Sequence, residues 1–265
     1  MKNALLVPGV FFLSLLGTVI VVAFFGGIAL RYELAVPFGS EAGGLLLLCM
    51  VRTGCYSLLV ALMAAIIGVY AFLMRHQAKL SVALSLFLVC VIFTVTVVMP
   101  ICYAQLPAIE NAVTSYNAVA STDKALGAFI NRPLFLTLLR QGTDSLFYDV
   151  YTAYTLNFIT YLSFVCAFFF CISSFWFVCT ITRWNMCNLL LLFLLSGALL
   201  LVYPYTRQEG FRAALSNLHV MNAENGFMSV SIIFCIVAVI CHSIGGLKML
   251  LISSKTKKGA PHKNA

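Results

Sequence analysis

The stretch Leu5–Leu30, LLVPGVFFLSLLGTVIVVAFFGGIAL, runs for 26 residues without a charged side chain. As an α-helix it would be roughly 39 Å long at 1.5 Å per residue. The hydrocarbon core of a bilayer is about 30 Å thick and needs about 20 apolar residues to cross it. A secretory leader has an apolar region of only about 7–15 residues, so the spacing predicts a retained transmembrane helix. Five further apolar runs follow: Cys55–Met74, Leu80–Tyr103, Leu156–Ile181, Met186–Tyr203 and Phe227–Leu251. The sequence therefore predicts an all-α integral membrane protein. Residues 1–251 form one transmembrane domain of six helices, with a partly helical outer loop between the third and fourth.

The composition agrees. Of the 265 residues, 62% are hydrophobic and 9% charged, and mean hydropathy is +1.03. A soluble domain carries about 25% charged residues, so this chain could not cover a water-facing surface. Gly44–Met50 is also apolar and leads towards the second span across Arg52. One helix over both would be roughly 46 Å long. Arg52 and Thr53 are accordingly expected at the interface, with Gly44–Val51 a separate short approach.

Charge placement gives the orientation. With six spans, Lys2, Arg75, Lys79, Arg183, Lys248, Lys255, Lys257, Lys258 and Lys263 fall on one face with no acidic residue. All the acids fall on the other: Glu33, Glu41, Glu110, Asp123, Asp144, Asp149, Glu209 and Glu224. Lys and Arg accumulate in cytoplasmic loops, so both termini are expected in the cytoplasm, at the plasma membrane or an endomembrane. The net charge of +8 then needs no nucleic-acid partner. The basic tail, 252–265, is expected to be solvated and able to bind anionic lipid.

The outer loop, 104–155, carries a helical pattern at Ile109, Ala112, Val113, Tyr116, Val119 and Ala120. Pro133 breaks it. A second apolar face begins at Leu134, Leu138 and Leu139. Gly142 is expected to end that helix, with Thr143 or Asp144 capping the next one. Tyr148, Tyr151 and Tyr154 are expected in an aromatic belt, and Asp144 and Asp149 as solvated or capping residues.

Small residues recur at helical spacing in three spans, as in helix contacts inside membranes. These are Ser57, Ala61, Ala65, Gly68 and Ala71; Thr160, Ser163, Ala167, Cys171 and Ser174; and Ser231, Cys235, Ala238, His242 and Gly246. Gly68, Ala167, Ser174, His242 and Gly246 are thus expected to pack helices together or, on the alternative reading, to line a polar path. Phe158, Phe168, Phe169, Phe175 and Trp176 are expected mostly to face lipid. His242 is the titratable group deepest in the predicted hydrocarbon, where such groups usually mark function. Its ring is expected to bond a neighbouring helix.

No P-loop, G-x-S-x-G, H-E-x-x-H or C-x-x-C occurs. No catalytic, cofactor-binding or metal site is expected. Among Cys49, Cys55 and Cys102, near the outer face, a disulfide between Cys55 and Cys102 is the favoured pairing. From Leu80 onward the order of spans, long outer loop, tight basic turn and basic tail is similar to the layout of claudin-like and amastin-like surface proteins. The tryptophan and paired cysteines of the claudin outer loop have no counterpart in 104–155, and the first two spans are extra, so no family is assigned. The expected function is that of a non-enzymatic structural or interaction component, in a homo-oligomer or with other membrane proteins. The alternative is a channel or uncoupled transporter for a small polar solute.

Overall fold

The computed structural model describes residues 2–33, 42–76, 80–119, 134–179, 184–207 and 226–258. Nearly all of these are helical, and among them there is no strand. The elements are α1 (Lys2–Leu5), α2 (Val7–Glu33), α3 (Ala42–Arg75), α4 (Leu80–Phe93), a π-helical segment (Thr94–Val98), α5 (Met99–Val119), α6 (Leu134–Leu156), α7 (Phe158–Cys179), α8 (Asn185–Val202), a 3₁₀ turn (Tyr203–Arg207) and α9 (Gly226–Lys258). Among the described residues, five stretches are long and apolar enough to cross a membrane: Asn3–Arg31, Gly43–Arg75, Ser81–Ser115, Phe158–Cys179 and Asn185–Thr206. Within α9 the described apolar stretch, Val230–Gly245, is shorter. Residues 1, 34–41, 77–79, 120–133, 180–183, 208–225 and 259–265, and with them the expected Pro133 break and part of the expected basic tail, lie outside the described residues.

Three expected breaks are absent. Gly44–Val51 is not a separate approach, because α3 runs unbroken from Ala42 to Arg75. Its 34 residues span roughly 50 Å, and the apolar turns before Arg52 pack against the end of α2. Gly142 does not end a helix either, since α6 continues through it to Leu156. The interruption falls at Asn157, whose Oδ1 accepts the Ile159 N–H at 3.0 Å and so caps α7. Lastly, α9 runs beyond Leu251 into the expected tail, as far as Lys258.

The helix α2 lies antiparallel along α3. Glycines set the separation. A Cβ at Gly27 would stand 2.6 Å from Met50 Cγ and 2.8 Å from its Cα, and one at Gly26 would stand 2.5 Å from Thr53 Cγ2. At the other end of the seam, a Cβ at Gly68 would stand 2.5 Å from Ser14 Oγ. The opposite face of α2, with Leu13, Ile20 and Phe24, is exposed, as a bilayer-facing surface should be.

The core is built around α7. It packs on α3, α6, α8 and α9, and 56% of its apolar window is buried, against 17% for the first span. This corrects the reading of its aromatic residues. Phe168, Phe169 and Phe175 are buried, and only Phe158 of the expected lipid-facing set is exposed. A central helix meets neighbours on most of its circumference, so its bulky side chains fill the interior.

The π-helical segment has a visible cause. Pro100 has no N–H and cannot close the helical ladder. The Met99 N–H reaches back to the Thr94 carbonyl. The next bond in that register would run from Pro100 to Val95. In its place, the Tyr161 hydroxyl donates to the Val95 carbonyl at 2.8 Å. A side chain on α7 thus satisfies a buried backbone acceptor that the proline leaves open.

Candidate functional site

At the far end of the bundle, opposite Lys2 and Lys258, α6 and the extension of α5 lie over the ends of α3 and α8. Polar and aromatic side chains concentrate there. Two clamps attach this layer to the bundle.

In the first clamp, Arg52 on α3 donates to Glu110 Oε1 on α5 at 3.2 Å. The Tyr56 hydroxyl donates to the same oxygen at 2.6 Å. The guanidinium lies 4.9 Å from the Tyr56 ring centre, and that ring stacks on Phe147 of α6 with centroids 3.8 Å apart. Arg52, inside the apolar stretch of α3, and its neighbour Tyr56 therefore gather three helices. In the second clamp, the Tyr203 hydroxyl donates to Asp149 Oδ2 at 2.5 Å. Asp149 is buried, not solvated as expected. Close by, Gly142 meets α8, where an added Cβ would run into the Leu200 carbonyl. Gly142 is small for helix contact, a role that replaces the expected helix end.

Between the clamps lies an aromatic cluster. The fully buried Tyr103 ring is edge-on to Phe147, Tyr151, Tyr154 and Tyr161, at centroid distances of 5.6–6.3 Å. The Tyr154 hydroxyl donates to the Pro100 carbonyl at 3.4 Å. Of the three tyrosines expected in a belt, only Tyr148 is exposed; Tyr151 and Tyr154 pack on the core. Aromatic periodicity alone did not distinguish a belt from a core. The clamps join residues 58 and 54 positions apart in the chain, and no local signal could have paired them.

The packing residues are spread along the bundle and do not converge on one place. Gly68 meets Ser14. Ala167 is buried, and so is Ser174, whose hydroxyl donates to the Cys171 carbonyl of its own helix at 2.6 Å. Ser57 and Ser231 likewise bond carbonyls of their own helices, which satisfies them locally. Half-buried His242 does not bond a neighbouring helix through Nδ1, which lies 2.8 Å from the Ala238 carbonyl one turn back. Its ring packs against Phe170 and Phe177, at centroid distances of 5.3 and 4.4 Å. The side-chain surroundings of Gly246 lie outside the described residues. Its neighbour Gly245 makes the close approach, where an added Cβ would stand 2.8 Å from Phe177 Cβ. Cys55 and Cys102 come together as thiols in hydrogen-bond contact.

Among the described residues, no group of three or more His, Cys, Asp or Glu side chains is placed to hold a metal ion. In each clamp a carboxylate accepts a tyrosine hydroxyl across a helix interface. Neither a protein-family model, a curated protein nor a solved structure matches the chain.

Proposed function

We propose that the chain is a six-span membrane protein with both termini in the cytoplasm, acting as a non-enzymatic structural or interaction component of a membrane assembly. The apolar helices embed it in the bilayer, and the far-end layer over residues 104–155 is its contact surface. One observation carries this reading. The ionisable side chains Arg52, Glu110 and Asp149 all bond across helix interfaces, which fixes the layer to the bundle. The outward face of α6 then presents Gln141, Asp144, Tyr148 and Thr155, all exposed and at helical spacing. A polar face with an exposed tyrosine on a fixed scaffold suits a protein partner, whether a second copy or another membrane protein. The basic tail adds contact with anionic lipid.

The test is solute flux in proteoliposomes. The purified chain is expected to conduct no small polar solute above empty vesicles. Flux that varies with pH near neutrality, and loses that dependence in His242→Gln, would replace this reading with the channel. Orientation is tested separately by thiol labelling of single cysteines placed at positions 77, 258 and 123. The first two should react from the cytoplasmic side and the third from the opposite side.

A further inference from the structure

We propose that Cys55 and Cys102 are joined in the mature protein by a disulfide that staples α3 to α5 directly beneath the Arg52–Glu110 clamp. Cys55 is buried and Cys102 half-buried, on antiparallel helices whose thiols touch. The clamp is the next rung of the same seam: Arg52 and Tyr56 flank Cys55 on α3, and Glu110 lies two turns beyond Cys102 on α5. Cys49, the other candidate, is buried on the stretch of α3 that packs against the end of α2 and lies near Arg31. It is not in hydrogen-bond contact with either thiol. The geometry thus selects one pairing among the three cysteines at this end.

The inference rests on the orientation proposed above, which puts this end of the bundle in the lumen or outside the cell, where disulfides form and persist. The oxidant is a thiol–disulfide exchange partner, either a protein disulfide or a small-molecule one. The more accessible Cys102, as the thiolate, attacks the oxidant's disulfide and releases one oxidant thiol. Cys55, as the thiolate, then attacks Cys102 Sγ in the mixed disulfide and releases the second. Two protein thiols lose two protons and two electrons, and one disulfide of the oxidant becomes two thiols. The staple holds a seam whose ionic rung is partly exposed, at 29% and 41% for the two side chains. Ion pairs that open to solvent are weak by themselves, at about 0–1 kcal/mol.

The test is differential alkylation of the full-length chain in its own membranes. Membranes are quenched in acid, denatured in detergent with N-ethylmaleimide, then reduced and treated with iodoacetamide, and the peptides are read by mass spectrometry. Cys55 and Cys102 are expected to carry only the second label. Without reduction, a cross-linked peptide should join them. N-Ethylmaleimide on both residues, or a cross-link from either to a different cysteine, overturns the proposal. Cys55→Ser should move Cys102 to the first label, and Cys102→Ser should do the same for Cys55. Where a variant fails to accumulate, the wild-type peptides decide. Reduction of the folded wild type should lower Tm by roughly 5–10 °C, a shift absent from the double Ser variant. If positions 77, 258 and 123 label as expected while Cys55 and Cys102 take the first label, the disulfide fails and the orientation stands. If position 123 labels from the cytoplasmic side, the orientation fails, and the peptides still decide the pairing.

Discussion

The α2–α3 hairpin and the far-end layer hold helices together in opposite ways. In the hairpin, side chains are removed: Gly26, Gly27, Gly54 and Gly68 let two helices approach until backbone and short side chains touch. In the far-end layer, side chains are added: Arg52, Tyr56, Glu110, Phe147, Asp149 and Tyr203 reach across helix interfaces to named partners. Lipid tails are as apolar as the helices, so close van der Waals contact is the main attraction available within the bilayer. At the interface, polar groups exchange water for one another, and directed bonds become useful. The hairpin seam is therefore sensitive to volume, and the layer beyond it mainly to chemistry, with Gly142 against Leu200 the exception.

The largest expected effect comes from backbone contacts. Gly27→Leu and Gly142→Leu would each drive a side chain into the backbone of a facing helix. Both should lower stability in detergent by about 3 kcal/mol or more, measured by denaturant-induced unfolding. Gly17→Ala should be neutral or slightly stabilising, because nothing lies within 4 Å of the added carbon. A glycine series that ignored this ranking would refute the volume account of the hairpin. Next comes Tyr161→Phe, which strands the buried Val95 carbonyl at a cost of about 1–3 kcal/mol. Pro100→Ala should relieve part of that loss by restoring an N–H. Smaller again is the clamp. Glu110→Gln and Tyr56→Phe should each cost roughly 1 kcal/mol, and less in combination than the sum of the two, because the Tyr56 hydroxyl donates to the Glu110 carboxylate itself. Strict additivity would mean that the clamp does not act as a unit. The smallest is His242→Gln, below the about 0.6 kcal/mol of an interhelical hydrogen bond, since its Nδ1 bonds a carbonyl of its own helix.

Much of the hairpin was legible in the sequence. A charge-free run of 26 residues has few alternatives to a helix, and Gly68 stood on a visible small-residue stripe. The aromatic face of α7 was not legible. Where almost every residue is apolar, hydropathy carries no directional signal, so Phe168 and Phe169 could not be told from lipid-facing residues before the neighbours of α7 were known. Gly142 misled for a related reason. A glycine after a leucine-rich turn looks the same whether it ends a helix or admits another one. Asp149 reads as a solvated or capping residue in the sequence because its partner, Tyr203, reaches it only through tertiary packing. Cys49, Cys55 and Cys102 could be placed near one face from the sequence, but that Cys55 and Cys102 sit on packed helices shows only once α3 lies against α5.

The central claim is that the far-end layer is a fixed surface for assembly, and native mass spectrometry of the full-length chain released from its membranes in mild detergent tests it most directly. The account predicts a discrete species of fixed stoichiometry, either several copies of this chain or this chain with a defined partner. Asp144→Lys combined with Tyr148→Ala on the exposed face of α6 should dissociate that species and leave the protomer folded. A folded monomer at every concentration, with the double variant indistinguishable from wild type, would contradict it.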